Sequence, residues 1–153
     1  MRSATLSDLD ELVALGRVMH AEGPALRGFS FDEAKVRRAL IAAIAGGAVF
    51  VHENADGSLD GGLVAMVLER WYSTDQVAID LGLFVAPDKR GGFIAYRLLR
   101  AFVAWCTARA LPIEMGVSTG VAPEVADRLY TAIGFERIGG AYRFAAPTTN
   151  GGV

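Results

Sequence analysis

The sequence is poor in the residues that build disulfides and metal centres, with one cysteine and two histidines among 153 residues. A single thiol cannot form an intramolecular disulfide or supply a cysteine-based zinc cluster, so no metal is expected. Cys106 falls on the apolar face of a predicted helix and is expected to be a buried core thiol. His20 and His52 adjoin a helix end and a turn, and both are expected at the surface.

Strong net charge and long apolar runs are also missing. The formal net charge of −2 argues against a general nucleic-acid binder, because such a protein needs a strongly positive surface. The longest uncharged stretch, ALIAAIAGGAVFV at 39–51, is shorter than the roughly 20 residues of a membrane span. Acidic residues at 8, 10 and 11 stand where a signal peptide would need its apolar stretch. We therefore expect a cytoplasmic protein that binds neither nucleic acid nor a membrane.

The hydrophobic fraction of 52% and the length predict a single compact domain with a substantial core, and the mixture of strands and helices given next makes it an α/β domain. Periodicity and turn residues predict the following order: a short strand at 1–5, two helices, a meander of strands at 48–53, 62–71 and 77–85, a helix from 94 to 106, a strand at 113–117, a helix at 124–133, and a hairpin of 135–138 and 141–144. The domain spans 1–146. Turn formers at 147–153 predict a flexible tail.

The most informative stretch is VAPDKRGGFIAYRLL, at 85–99. A buried strand ends before Pro87, a glycine turn follows, and apolar residues at 94, 98, 102 and 106 then mark one face of a helix. Free N–H groups and the helix dipole favour an anion such as phosphate at this helix start, and Lys89 and Arg90 add positive charge. Neither the dinucleotide fingerprint nor a P-loop is present.

Arg90–Leu99 resembles motif A of the GNAT superfamily (Gcn5-related N-acetyltransferases) of acyl-CoA-dependent acyltransferases, whose pattern is R-G-x-G-x-G/A-x-x-L-L after a strand ending in V-x-P. The residues that match are Arg90, Gly91, Ala95, Leu98 and Leu99, with Val85 and Pro87 upstream. Phe93 stands where the family usually has its second glycine, and a side chain directed away from the ligand would accommodate the change. ADRLYTAIGF at 126–135 is similar to the family segment A-x-x-L-Y-x-x-x-G-F, with Pro123 in place of an upstream asparagine.

The resemblance implies a GNAT-like mixed, mostly antiparallel twisted sheet with helices on both faces. It implies direct transfer of an acetyl group from acetyl-CoA, as co-substrate, to a primary amine on a small molecule or peptide. Homodimers are common in the family. The residues that it assigns to cofactor binding are Leu83, Phe84, Val85, Lys89, Arg90, Gly91, Gly92, Phe93, Ile94 and Ala95.

The same resemblance assigns Tyr130 to protonation of the departing thiolate, although a core aromatic is the alternative. An amine nucleophile must first lose a proton, and two carboxylates are candidates for the general base. Asp80 interrupts an apolar strand and alternates to the same face as Ala78, Gly82 and Phe84, whereas Glu69 lies near the end of the preceding strand. Either carboxylate could instead be solvated or ion-paired.

Two further features stay open at this level. In the family a strand bulge frees an N–H that polarises the thioester carbonyl, and Val85 could supply it, since Gly82 is compatible with a nearby bulge. Aromatic residues at 29, 31, 71 and 72 could line the acceptor side or form core or dimer contacts.

A catalytically weak CoA-binding or protein-interaction module on the same fold is the alternative function. A mononucleotide binder lacks supporting sequence.

Overall fold

The computed structural model describes residues 1–144, which form one five-stranded sheet with helices on both faces. The strands are β1 (Arg2–Ser3), β2 (Val49–Glu53), β3 (Leu59–Glu69), β4 (Gln76–Val85) and β5 (Ile113–Glu114). The α-helices are α1 (Leu9–Glu22), α2 (Glu33–Ala45), α3 (Ile94–Thr107) and α4 (Pro123–Ile133). Short 3-10 helices occupy Leu6–Asp8, Pro24–Leu26 and Pro87–Lys89. The predicted tail at 147–153 lies outside the described residues.

The sheet has the order β1-β2-β3-β4-β5. The first four strands pair antiparallel, and β4 and β5 pair parallel through Ala78 and Ile79 alone. The prediction of a mixed, mostly antiparallel sheet is therefore confirmed. Among the helices within residues 1–144, none combines the length and the apolar character needed to cross a bilayer.

Helix α3 is anchored to the sheet by an apolar stripe that is fully buried from Leu98 onward. Leu98, Leu99, Phe102 and Cys106 have no exposed surface and pack on the β2–β4 face that carries Phe50 and Leu63. Burying each large apolar side chain contributes about 1.5–3 kcal/mol, so the start of this helix is held rigidly against the sheet. The prediction that Cys106 is a core thiol is confirmed. Helices α1 and α2 cover the opposite face, around Val49 and Val51.

A bulge interrupts the pairing of β3 and β4. Val64 pairs with Gly82 but Ala65 pairs with Asp80, so Leu81 is an extra residue in β4. The bulge lies beside Gly82, a glycine with which the sequence left such a bulge compatible. The prediction that Asp80 shares a face with Ala78, Gly82 and Phe84 is wrong for Gly82 and Phe84, because the extra residue Leu81 reverses the alternation after Asp80. Ala78 packs toward α3, whereas a Cβ on Gly82 would meet Met19 of α1 at 3.3 Å.

The predicted hairpin at 135–138 and 141–144 is wrong, since no residue of 135–144 lies in a strand. Strand β5 is only two residues long and offers little ladder for another strand, and an isolated hairpin is marginal in water. Ile138, Tyr142 and Phe144 of this segment are accordingly exposed, whereas Phe135 is half-buried beside Tyr130.

Candidate active site

The turn between β4 and α3 presents backbone donors to one side of the molecule. Gly91 adopts φ +85°, a left-handed conformation that glycine accepts without strain, and Phe93 begins the helix with no side-chain cap. The first helical bond runs from Arg97 N to Phe93 O at 2.9 Å, so the N–H groups of residues 94–96 have no partner within the helix. Free donors and a helix dipole of this kind favour an anion at the helix start.

The side chains of Arg90 and Lys89 differ in the contacts that they make. Its Nε donates to Val85 O at 2.9 Å, its Nη2 donates to the Glu22 carboxylate at 2.6 Å, and its guanidinium lies 5.1 Å from the centre of the Phe84 ring. Arg90 therefore ties the turn to β4 and to α1, and its charge is matched by Glu22. The Nζ of Lys89 lies 3.6 Å from Asp88 and its side chain is 45% exposed, so Lys89 is the more available cation.

A cleft of about 490 Å³ lies beside this turn, between β4 and the segment that runs from β5 into α4. It is lined by all of the predicted cofactor-binding residues except Phe93, namely Leu83, Phe84, Val85, Lys89, Arg90, Gly91, Gly92, Ile94 and Ala95. The Phe93 side chain is 75% exposed and lies outside the cleft lining. The phenyl ring at the family's glycine position therefore leaves the cleft open.

The edge of β4 that faces the cleft has free backbone groups. Because β5 pairs only with Ala78 and Ile79, residues 80–85 have no strand partner on that side within residues 1–144. Ala86 N donates to Asp60 O of the neighbouring strand β3 at 2.8 Å. By the alternation of an antiparallel ladder, the N–H groups of Leu83 and Val85 then point away from β3, toward the cleft.

Two of the three predicted catalytic residues meet in the same cleft. Tyr130 Oη lies 3.5 Å from Gly116 O, and Gly116 N donates to Asp80 Oδ1 at 2.9 Å. Gly116 thus links the phenol of α4 with the carboxylate of β4. Glu69 lies elsewhere, exposed at the end of β3 opposite Gln76 and outside the cleft lining.

The surroundings of these two groups move their pKa values upward. Burial raises the pKa of Tyr130 to about 12, and the carboxylates of Asp80 and Asp127 add to the effect. Burial also raises the pKa of Asp80, against the opposing hydrogen bond from Gly116 N–H. The phenol consequently keeps its proton at neutral pH and can donate it, while the carboxylate is a stronger proton acceptor than an exposed aspartate.

Part of the cleft comes from residues that sequence reasoning missed. Tyr96 of α3, Met19 and Glu22 of α1, and the loop at 117–122 all contribute to its lining. Thr119 O accepts a hydrogen bond from Ala25 N at 3.0 Å, which joins this loop to the segment after α1. Ala122 precedes α4 in a left-handed conformation, with φ 42° and ψ 56°. Among the non-glycine residues that line the cleft, Ala122 is the one with a positive φ, and its alanine identity gives no sequence signal of that.

The aromatic residues left open by the sequence separate into two groups. Phe31 lines a second cavity, between α1, α2 and the sheet, whereas Phe29, Trp71 and Tyr72 are exposed. The His20 ring lies 5.5 Å from that of Phe31, and its Nε2 is buried without a hydrogen-bond partner among the described residues. The expected surface position of His20 is therefore wrong for this nitrogen. Residues 1–144 contain no group of three or more His, Cys, Asp or Glu arranged to hold a metal ion.

Neither a protein-family model nor a curated protein sequence matches this chain. Solved structures do match. A predicted acetyltransferase from Clostridium acetobutylicum, with acetyl-CoA, superposes with a TM-score of 0.72 at 17% identity, over 94% of each chain. A GCN5-related N-acetyltransferase from Ralstonia eutropha JMP134 gives 0.66 at 20% identity, over 95% of each chain. An aminoglycoside antibiotic 6'-N-acetyltransferase from Acinetobacter haemolyticus gives 0.67 at 15% identity, over 95% of this chain and 97% of the other.

These similarities extend over nearly the whole of each chain. The protein therefore has the fold of the GCN5-related N-acetyltransferases, as the two sequence motifs predicted. Identities of this size establish the fold alone, so the reaction has to be argued from the cleft itself.

Proposed function

We propose that this protein is an N-acetyltransferase that moves an acetyl group from acetyl-CoA directly to a primary amine. The observation that carries the proposal is the convergence, in one cleft, of an anion-binding turn, an unpaired strand edge and the Asp80–Gly116–Tyr130 group. A phosphate site alone would suit many ligands. The strand edge and the two proton-transfer groups beside it favour acyl transfer.

The chemistry of the cleft suits acetyl-CoA. The N–H groups of the Gly91–Ala95 turn and the Lys89 ammonium would hold the pyrophosphate. A Cβ built on Gly91 or Gly92 would meet no atom within 4 Å, so the approach to these amides is open. The free amides of Leu83 and Val85 would pair with the amide-containing pantetheine arm. Acetyl-CoA supplies the acetyl group in an activated form, as a thioester.

Asp80 and Tyr130 have complementary proton-transfer roles. Asp80 would accept the proton that the amine must lose before its lone pair can attack the acetyl carbonyl carbon. For an amine of pKa about 10, having that proton removed at pH 7 costs roughly 4 kcal/mol, which a nearby carboxylate helps to offset. Tyr130 would donate its proton to the sulfur as the carbon–sulfur bond breaks. The amine nitrogen gains the acetyl group as it attacks, and its second proton then passes to the Tyr130 phenolate and restores the phenol. The products are an amide, free CoA thiol and one proton, which Asp80 releases to solvent.

Binding and turnover test the proposal separately. Acetyl-CoA should raise the melting temperature of the protein, whereas ATP and NAD should leave it unchanged. Release of CoA thiol should then depend on an added primary amine. Stabilisation by acetyl-CoA without amine-dependent thiol release would favour the CoA-binding module, and equal stabilisation by ATP or NAD would contradict both functions.

A further inference from the structure

A second cavity adjoins the cleft, and we call it the apolar cavity. It encloses about 320 Å³ between α1, α2 and the face of the sheet opposite α3. Its walls are mainly hydrocarbon, with Leu15 and Met19 from α1, Val36 and Ala39 from α2, and Phe31 from the segment before α2. This volume is within the range of small-molecule sites.

The apolar cavity and the cleft share part of their lining. Met19, Leu26, Leu81, Gly82 and Phe84 line both. Two of the shared residues, Leu81 and Gly82, belong to the bulge and follow Asp80 directly in sequence, and Asp80 itself lines the cleft. A molecule whose body occupies the apolar cavity can therefore place its reactive end beside the catalytic group.

The boundary between the two spaces is adaptable. Gly82 has no side chain, and the Sδ and Cε atoms of Met19 lie 3.3 Å from the position that a Cβ would take. Methionine is unbranched, with three rotatable bonds, so Met19 can move aside at small cost. Leu81 is 43% exposed and also lines both spaces, although leucine side chains are usually buried.

The charges around the apolar cavity do not suit a polycation. Among the described lining residues, Asp32 is the one carboxylate, and it accepts a hydrogen bond from Lys35 N at 3.0 Å as the cap of α2. In the cleft, Glu22 is paired with Arg90, and Asp80 accepts from Gly116 N. An amino sugar would lose water from several ammonium and hydroxyl groups without gaining matching acceptors, which is unfavourable.

We infer that the acceptor is a primary amine on a single apolar body, alkyl or aryl, which fills the apolar cavity while its nitrogen lies beside Asp80. The inference rests on the proposed function and specifies its acceptor. The edge-on packing of His20 and Phe31 gives the cavity an aromatic wall that suits such a body.

The test is a series of acceptors of similar basicity and increasing apolar size: ethylamine, butylamine, hexylamine and 2-phenylethylamine, with neamine as the amino sugar. CoA thiol release gives kcat/KM for each. We expect kcat/KM to rise about fourfold for each methylene that becomes buried, until the apolar cavity is full. Neamine should be a poorer acceptor than butylamine. A flat series, or a preference for neamine, would overturn the inference.

Ala39→Phe fills the apolar cavity from α2, and Ala42→Phe is its matched control. Ala42 lies on the same helix, is exposed and is not part of the lining. Ala39→Phe should lower kcat/KM for hexylamine at least tenfold without changing the Kd for acetyl-CoA, whereas Ala42→Phe should change neither. If Ala39→Phe does not fold, Phe31→Ala provides the opposite change, and the preferred amine should become longer.

Three other results have distinct meanings. If Ala39→Phe alters the preference between acetyl-CoA and hexanoyl-CoA but leaves the amine series unchanged, the apolar cavity holds an acyl chain and the inference is wrong. If no amine releases thiol but acetyl-CoA binds, the rise in melting temperature produced by hexylamine is compared with that produced by ethylamine. A larger rise with hexylamine supports the inference, and an equal rise overturns it. If acetyl-CoA does not bind, the proposed function itself fails.

Discussion

Replacing Tyr130 by Phe removes one oxygen atom from the cleft and should separate catalysis from binding. The phenol contacts Gly116 O at 3.5 Å, which is at the limit of a hydrogen bond, so its loss should cost less than about 1 kcal/mol of stability. The ring and its packing beside Phe135 are retained, with 5.8 Å between the ring centres. The variant should therefore fold and bind acetyl-CoA normally.

The expected loss is in turnover. General acid catalysis contributes at least about 10²-fold, so kcat should fall by about that factor, which corresponds to roughly 2.7 kcal/mol. In the wild-type protein a pKa of about 12 leaves only about 1% of the phenol ionised at pH 10. Its proton is therefore available throughout the working range, and ionisation of Tyr130 should produce no fall in kcat below pH 10.

The measurement is steady-state thiol release with saturating amine, together with calorimetric binding of acetyl-CoA. Tyr72→Phe is the matched control, because Tyr72 is exposed and lies outside the cleft lining. If Tyr130→Phe keeps kcat within threefold of the wild type while acetyl-CoA affinity is unchanged, the phenol is not the proton donor and Tyr130 is a packing residue.

Four further predictions concern three other titrating groups. Asp80→Asn keeps an oxygen acceptor for Gly116 N–H but cannot take a proton, so kcat should fall about 10²-fold and the acidic limb of the pH profile should disappear; an unchanged limb would exclude Asp80 as the base. Since burial raises the Asp80 pKa, its carboxylate disfavours folding as pH rises above 3.8, and Asp80→Asn should be no less stable than the wild type at pH 7. Asp8 has the opposite shift, because two hydrogen bonds from Arg2 lower its pKa from 3.8 to about 2. Its contribution of roughly 2 kcal/mol is present above pH 4 and lost as pH falls toward 2, so Asp8→Asn should show the deficit in urea titrations at pH 7 but not at pH 2. Burial raises the pKa of Cys106 to about 11, so the native protein should react slowly with a thiol reagent at pH 8 and the unfolded protein at once; rapid native reaction would contradict the buried position.

Local sequence signals predicted the parts of the fold that depend on periodicity and turn chemistry. The stripe from Ile94 to Cys106 defined α3, since residues four apart share a helix face. The glycine turn at 91–92 predicted the anion site, because only neighbouring backbone geometry is needed to expose those amides. Gly82 was compatible with a bulge but did not give its register, and the one extra residue was enough to place Gly82 and Phe84 on the face opposite Asp80.

Features that depend on distant contacts could not be predicted in the same way. Arg90 looked like a free cation, yet its charge is matched by Glu22, 68 residues away in the chain. The hairpin at 135–144 had apolar residues and a Gly-Gly turn, but its formation also required a long neighbouring strand, and β5 has two residues. The apolar cavity arises from α1, α2 and β4 together, so no single stretch indicates it.

The left-handed backbone of Ala122 has a consequence for how α4 is held. An alanine with φ 42° is about 1–2 kcal/mol less stable than one in ordinary helical or extended backbone, and no side chain caps the helix that follows. The first turn of α4 is thus maintained by its surroundings rather than by its own conformational preference. Ala122→Gly would remove this conformational cost and should raise the melting temperature. It would also make the backbone more flexible at the start of α4, the helix that carries Tyr130.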